Sequence, residues 1–317
     1  MNLQIAYTDE YLKWNLGSGD GSHITKPIRA QLATEYLQEG LGDAVTIIEP
    51  VVESYDRSSV ESIHDLDYVS EVLDEHISDE WGGRSQENAE TALTMFAGTA
   101  RLVDSILDGD TRVGFNPQGA KHHAKRDRSE GFCVFNDMAW AALEFQKAGL
   151  KPLYLDWDVH AGNGVQSLLE DTDIPTLSIH GSGIYPMRDG NHNPERDVWG
   201  STHTWHNPDK HFYNWNIELD SGDAELARAM EDVEEVVSAY KPDIILLAAG
   251  ADGHESDIWD MKYTFDGFID SARRVAVLAN AYSEGRVLIG GAGGYRAETF
   301  TPAIWAGVVS TIYTNVR

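Results

Sequence analysis

The run Asp156-Trp157-Asp158-Val159-His160 closes an apolar stretch and opens a glycine-rich one, Ala161-Gly162-Asn163-Gly164. In extended chain alternate residues share a face, so Asp156, Asp158 and His160 are expected to project together from one strand end. A second apolar run, Ile244 to Ala249, leads through Gly250-Ala251 to Asp252. A carboxylate buried there without a partner would be costly. Taken together, Asp158, His160 and Asp252 offer three ligands and leave a position for water, the pattern of a catalytic rather than a structural zinc site. Ligation so rich in oxygen also admits iron or manganese. The plainer alternative is a strand-end turn whose aspartates bond backbone amides of the loop.

Upstream lies Gly119-Ala120-Lys121-His122-His123-Ala124, followed by Gly131-Phe132-Cys133-Val134-Phe135-Asn136-Asp137. Tandem histidines on a glycine-flanked loop suit acid and base duty toward a water, since imidazole titrates near working pH. Alone, they would as readily be loop histidines bonded to backbone. Near the C-terminus Gly290-Gly291-Ala292-Gly293-Gly294-Tyr295 follows another apolar run. Its glycines allow close backbone approach and could deliver the Tyr295 hydroxyl as an oxyanion donor, although glycine turns after strands are common.

Such side chains need elements to hold them. Apolar runs bounded by turn residues predict buried strands at Val45–Ile48, Pro152–Trp157, Thr176–His180, Asp243–Ala249 and Arg286–Ile289. Between them helical patterns cover Ile28–Gln38, Asn88–Leu107, Asn136–Ala148, Ala224–Tyr240 and Tyr263–Ser283. The alternation predicts an α/β fold with a parallel sheet, whose ligands sit beyond the carboxyl ends of the strands. From Tyr185 to Trp215 no period is visible, and the segment reads as a long ordered loop.

Composition narrows the partners. Of 317 residues, Asp and Glu number 52 against 24 Lys and Arg, a formal charge of −28 that argues against a nucleic-acid binder. The acidic excess is dispersed and Lys is scarce, which fits a surface adapted to concentrated salt or an ordinary acidic protein. No apolar run reaches the roughly 20 residues of a membrane span, and the first residues lack the pattern of a signal peptide, so a cytoplasmic location is expected. The single cysteine, Cys133, excludes an intrachain disulfide and a Cys-rich zinc knuckle.

In order, HHA, GFCVFND, DWDVHAGNG, AAGADGH and GGAGGY resemble the motifs of the histone deacetylase superfamily, which includes the acetylpolyamine amidohydrolases. The segments His23 to Arg29 and His64 to Val69 look like weaker early motifs, so the likeness spans nearly the whole chain. It implies one arginase-like α/β domain, residues 1–317, around a parallel sheet of about eight strands. It also implies catalytic zinc on Asp158, His160 and Asp252, His123 as general base, His122 as its electrostatic partner, and Tyr295 as oxyanion donor. Asp156 would orient His122. Asn163 would pair with His123, the neutral variant of the class II-like branch. A structural potassium ion would take the side chains of Asp156 and Ser178 with carbonyls of Asp158, His160 and Ile179. Gly131, Phe132 and Tyr185 would wall an acyl-lysine tunnel, and Cys133 would be a packing residue.

Departures accompany the matches. Ala161 stands where the family usually has a second histidine that is not a ligand. Met187 to Tyr213, with His192, His203, His206 and His211, replaces a glycine-rich run and could reshape the tunnel mouth, pair subunits into a homo-oligomer, or hold a second metal. Trp259 stands where polyamine-selective members can carry an acidic gatekeeper. The implied activity is removal of acetyl or short acyl groups from lysine or related amines. The alternatives are an acetylpolyamine deacetylase, a silent acyl-lysine binding module, and an arginase-type two-metal enzyme, against which Ala161 and Asn163 speak.

Overall fold

The computed structural model describes residues 1–17, 25–186, 205–207, 211–259 and 261–317, with residues 205–207 as backbone. Short, mostly apolar runs build one sheet. Its strands are β1 (Leu3–Ala6), β2 (Val45–Ile48), β3 (Val113–Asn116), β4 (Pro152–Asp156), β5 (Thr176–Gly181), β6 (Trp205–Asn207), β7 (Phe212–Ile217), β8 (Ile244–Ala248) and β9 (Val287–Gly290). They lie in the order β2-β1-β3-β9-β8-β4-β5-β7-β6. Eight pair in parallel and β6 runs antiparallel to β7.

Both faces of the central strands are buried, which is why they read as continuous apolar runs. Leu153, Leu155, Ile245 and Leu247 enter one core; Tyr154, Ile244, Leu246 and Ala248 enter the other. Over the first face pack α1 (Ile28–Leu41), α7 (Asp223–Tyr240), α8 (Phe265–Tyr282) and α9 (Phe300–Asn315). The second face is covered chiefly by α4 (Gln86–Leu107) and α5 (Asp137–Lys147), joined by α2 (Ser54–Glu61), α3 (Leu66–Leu73) and α6 (Asn163–Leu168).

Three features depart from the sequence expectation. Residues 212–215, inside the segment read as a long loop, belong to strand β7, whose apolar residues are interrupted by the mostly buried Asn214 and Asn216 and so form no continuous apolar run. Residues 187–204 and 208–210 of that segment, with His192 and His203, lie outside the described residues, and so does His23. Strands β1 and β3 were missed because neither is a continuous apolar run: Gln4 interrupts the first, and Gly114 and Asn116 the second. Helix α9 was missed because its apolar residues surround it almost evenly, and a helix without a polar stripe loses the 3.6-residue signal.

The sheet order explains where the chemistry gathers. Strands β3, β9, β8, β4 and β5 are consecutive neighbours. The loops leaving their carboxyl ends carry His122 and His123, Tyr295, Asp252, Asp158 with His160, and Tyr185 respectively. Residues spread over some 170 positions of sequence therefore meet at one rim.

Candidate metal centre

Asp158, His160 and Asp252 are buried, and one potential ligand atom from each falls within 4.8 Å of the others. Asp158 Oδ1 accepts the His160 amide at 2.9 Å and lies 3.0 Å from His160 Nδ1, while its Oδ2 accepts the Gly293 amide at 2.6 Å. Asp252 Oδ1 accepts the Val159 amide at 3.0 Å. Its Oδ2 stands 3.0 Å from His160 Nδ1 but has no aligned hydrogen-bond partner. A Cβ on Gly293 would collide with both carboxylates, so the backbone there must be bare for the group to close. Burial and the neighbouring Asp158 push the Asp252 carboxyl up to about 7. Burial opposes protonation of His160, yet Asp158 and Asp252 outweigh it and raise its pKa to about 10. Two carboxylates and an imidazole crowded together with an orphaned buried oxygen fit a divalent cation, whose charge would remove the mutual repulsion. Among the described residues this is the one such group of three or more potential ligands.

Beside it stand the two tandem histidines, ring centroids 4.0 Å apart. His122 Nδ1 lies 2.8 Å from Asp156 Oδ2, an oxygen that also accepts the Tyr154 hydroxyl at 2.7 Å. His123 Nδ1 lies 2.8 Å from Asn163 Oδ1. These partners drive the rings apart. Burial opposes protonation of His122, but Asp156 and Asp158 prevail and its pKa is raised. For His123 burial, His122 and His160 all act downward, and its pKa falls well below the usual value.

The loop that carries this pair is anchored by the GFCVFND stretch. Asn136 caps α5 by accepting the Ala139 amide, and its side-chain nitrogen donates to Ala124 O at 3.0 Å. Asp137 accepts the amides of Ala120 and Lys121 at 3.0 and 2.8 Å. His64 closes the clamp: its Nδ1 lies 2.7 Å from Lys125 O, and its Nε2 accepts the Asn136 amide at 3.0 Å. Burial takes His64 down to about 4, which keeps it neutral and able to accept.

A narrow cavity of about 30 Å³ opens on the centre, with Gly131, Phe132, Tyr295 and the two histidines in its wall. Tyr185 meets His123 edge-on at 5.1 Å, Trp259 meets His160 at 4.9 Å, and Tyr295 meets His160 at 6.4 Å. The aromatic residues expected around the tunnel are thus gathered at the metal-ligand group. Asp156 and Ser178 are register partners across β4 and β5, and Ile179 is the next residue of β5. Cys133 also lines the cavity; burial pushes its thiol up to about 12, which makes it a poor nucleophile.

Four cavity neighbours carry weight that the sequence did not disclose. Arg29 and Lys121 both line it: Arg29 donates to Gly294 O at 2.6 Å and stacks on Trp305, and burial takes Lys121 down to about 8. Glu80 accepts the Phe132 amide at 2.8 Å. Glu130 accepts from both Asn163 Nδ2, at 3.1 Å, and the Tyr185 hydroxyl, at 2.8 Å. Glu130 directly precedes the GFC stretch, which was its only available signal; Glu80 lies fifty residues away and had none.

Comparison with known sequences decides the family. The histone deacetylase domain profile matches residues 23–312. The chain belongs to the histone deacetylase family. Among curated relatives, the acetoin utilization protein AcuC of Staphylococcus aureus strain MSSA476 is 30% identical over 322 residues, covering 95% of this chain and 79% of that protein. AcuC of Bacillus subtilis strain 168 is 32% identical over 223 residues, covering 68% of this chain and 55% of that one. The crystal structure of the HDA15 HD domain superposes with a TM-score of 0.79 over 98% of this chain and 88% of that chain, at 23% identity, and shows the same deacetylase fold. Family membership makes the chain a deacetylase of the hydrolase class.

Proposed function

We propose that this chain is a zinc-dependent amidohydrolase that removes acetyl, or another short acyl group, from a lysine side chain or a related amine. The observation that carries the reading is the buried Asp158–His160–Asp252 group with its orphaned Asp252 Oδ2, two of whose members line a cavity shared with two histidines of opposite electrostatic surroundings. Asp158, His160 and Asp252 would hold the ion, which when bound would supply Lewis acidity toward the amide carbonyl and the water.

The chain's own residues then divide the work. His123, neutral and held by Asn163, takes the proton of the attacking water through Nε2 as the water oxygen bonds to the acyl carbon. It returns that proton to the nitrogen as the C–N bond breaks, so amine and carboxylate leave. His122, held by Asp156, keeps positive charge near the reacting carbonyl. Tyr295 donates to the oxygen that gains charge. Gly131, Phe132, Tyr185 and Trp259 shape a slot for the alkyl stem of the amine.

The same reading assigns residues 1–317 to one catalytic domain, working in the cytoplasm. It also assigns a potassium ion to Asp156 and Ser178 with carbonyls of Asp158, His160 and Ile179, supported by the pairing of Asp156 with Ser178 across adjacent strands. With AcuC proteins as relatives over 95% of the chain, we place the activity in acetoin utilisation. The test is turnover of a fluorogenic acetyl-lysine peptide beside acetylputrescine and acetylspermidine, with metal content measured in parallel. Full activity in metal-free protein would sink the mechanism, and a large kcat/KM preference for the polyamines would replace the substrate.

A further inference from the structure

We infer that Glu130 is a positioning residue that fixes the orientation of the Asn163 amide and, through it, the tautomer of His123. The inference rests on the reading of His123 as the base, but its first readout does not.

An asparagine amide has an accepting end and a donating end of nearly equal size, and turning it over costs little unless its neighbours object. Here they do. Asn163 Nδ2 lies 3.1 Å from Glu130 Oε1, and a carboxylate can only accept. The opposite orientation would set two acceptors against each other. Asn163 Oδ1 is therefore turned to His123, where it lies 2.8 Å from Nδ1 and can only accept. The proton of a neutral His123 must then sit on Nδ1, leaving the Nε2 lone pair for the cavity. An aspartate at position 163 would select that tautomer unaided, because both of its ends accept. With asparagine there, the selection passes to Glu130.

Glu130 is itself held. Its Oε2 lies 3.3 Å from Arg128, and its backbone exchanges two hydrogen bonds with Cys133, each 3.0 Å. The Tyr185 hydroxyl donates to the same Oε1 at 2.8 Å, so a single carboxylate oxygen holds both the Asn163 amide and the aromatic ring that meets His123 edge-on.

The experiment combines Glu130→Leu, Glu130→Gln, Asn163→Asp and the double variant Glu130→Gln/Asn163→Asp, all as full-length protein. Nitrogen-15 NMR of labelled imidazoles, with His123 assigned against His123→Ala, reads the tautomer in zinc-free and zinc-loaded samples. Wild type is expected to show the Nδ1–H form, and Glu130→Leu a mixture, with kcat lowered by about tenfold or more toward the range of a lost general base. Glu130→Gln, which keeps an accepting oxygen, should lose less. Asn163→Asp alone brings two carboxylates together and should lower kcat. In the Glu130→Gln background the same change should restore kcat and the Nδ1–H form, since the glutamine amide can donate to the new carboxylate. An unchanged tautomer in Glu130→Leu, or an effect of Asn163→Asp that ignores the residue at 130, overturns the inference. If Glu130→Leu fails to fold, the glutamine pair alone still decides it. A His123→Ala variant with full kcat would instead remove the base assignment while leaving the tautomer result standing.

Discussion

His160 Nδ1 lies 3.0 Å from Asp252 Oδ2, across the gap between the loops that follow β4 and β8. Asp252 belongs to a different βα unit from His160, so a cation shared by the two ties the sheet together through its middle. Zinc should therefore stabilise the fold as well as supply chemistry. At a free concentration of about one hundred times Kd the gain is about 2.7 kcal/mol. Calorimetry with and without a chelator reads it, and Asp252→Asn should show no zinc-dependent shift.

The metal-free protein should lose stability as pH rises. Asp252 is raised by burial and Asp158 from 3.8 to about 7 in the fold, so the native state holds a proton that the unfolded chain gives up sooner. The stabilising contribution is complete below pH 4 and is lost on the way up through about pH 7. Melting curves of chelated protein over that window test the sign. Asp252→Asn, which has no such charge to bury, should melt higher than wild type at pH 8 while binding no zinc.

Tyr295→Phe should leave the fold intact and remove the proposed oxyanion donor. The expected loss is about 10²–10³ in kcat with little change in KM, measured by steady-state kinetics on an acetyl-lysine peptide. An equal loss confined to KM would mean that the hydroxyl binds the ground state instead.

Gly131→Ala tests how closely the loop passes His123, the proposed base. Gly131 has φ +58°, and a Cβ there would press into the His123 imidazole. The left-handed conformation alone costs about 1–2 kcal/mol for a residue other than glycine, and displacement of the ring should lower kcat by up to about 10²-fold. Wild-type kinetics in a protein that melts normally would show that the loop relaxes away.

His64→Ala should destabilise from a distance. It strips partners from Lys125 O and the Asn136 amide, at about 1–3 kcal/mol for each buried group left unsatisfied. The His122–His123 loop loses its clamp at the same time, so kcat and Tm should fall together. In wild type the depressed His64 contributes stability that is present above pH 6.5 and lost as pH falls through about 4. Acid titration of the variant should lack that component.

Much of this was legible in order along the chain. The four central runs, β4, β5, β8 and β9, could be read as parallel strands because burial on both faces forces continuous apolar residues, whereas the edge strand β2 was legible from its β-branched composition alone. The candidate metal ligands were readable because Asp158, His160 and Asp252 stand just beyond two such runs, where polar residues have no reason to be unless they meet something. Strand β7 escaped because Asn214 and Asn216 break up its apolar residues, and α9 because its apolar residues are spread almost evenly round the helix.

The sequence by itself determined which residue types stand at strand ends, and with them the family and the chemistry available. The tertiary structure decided which of those residues meet. Glu130 and Asn163 are thirty-three positions apart, and Glu80 and Phe132 fifty-two. No local period links either pair, because hydrogen bonds between loops depend on strand order and loop path rather than on spacing. The tautomer of His123 is of that kind: set by an amide's orientation, it is a property of the folded neighbourhood.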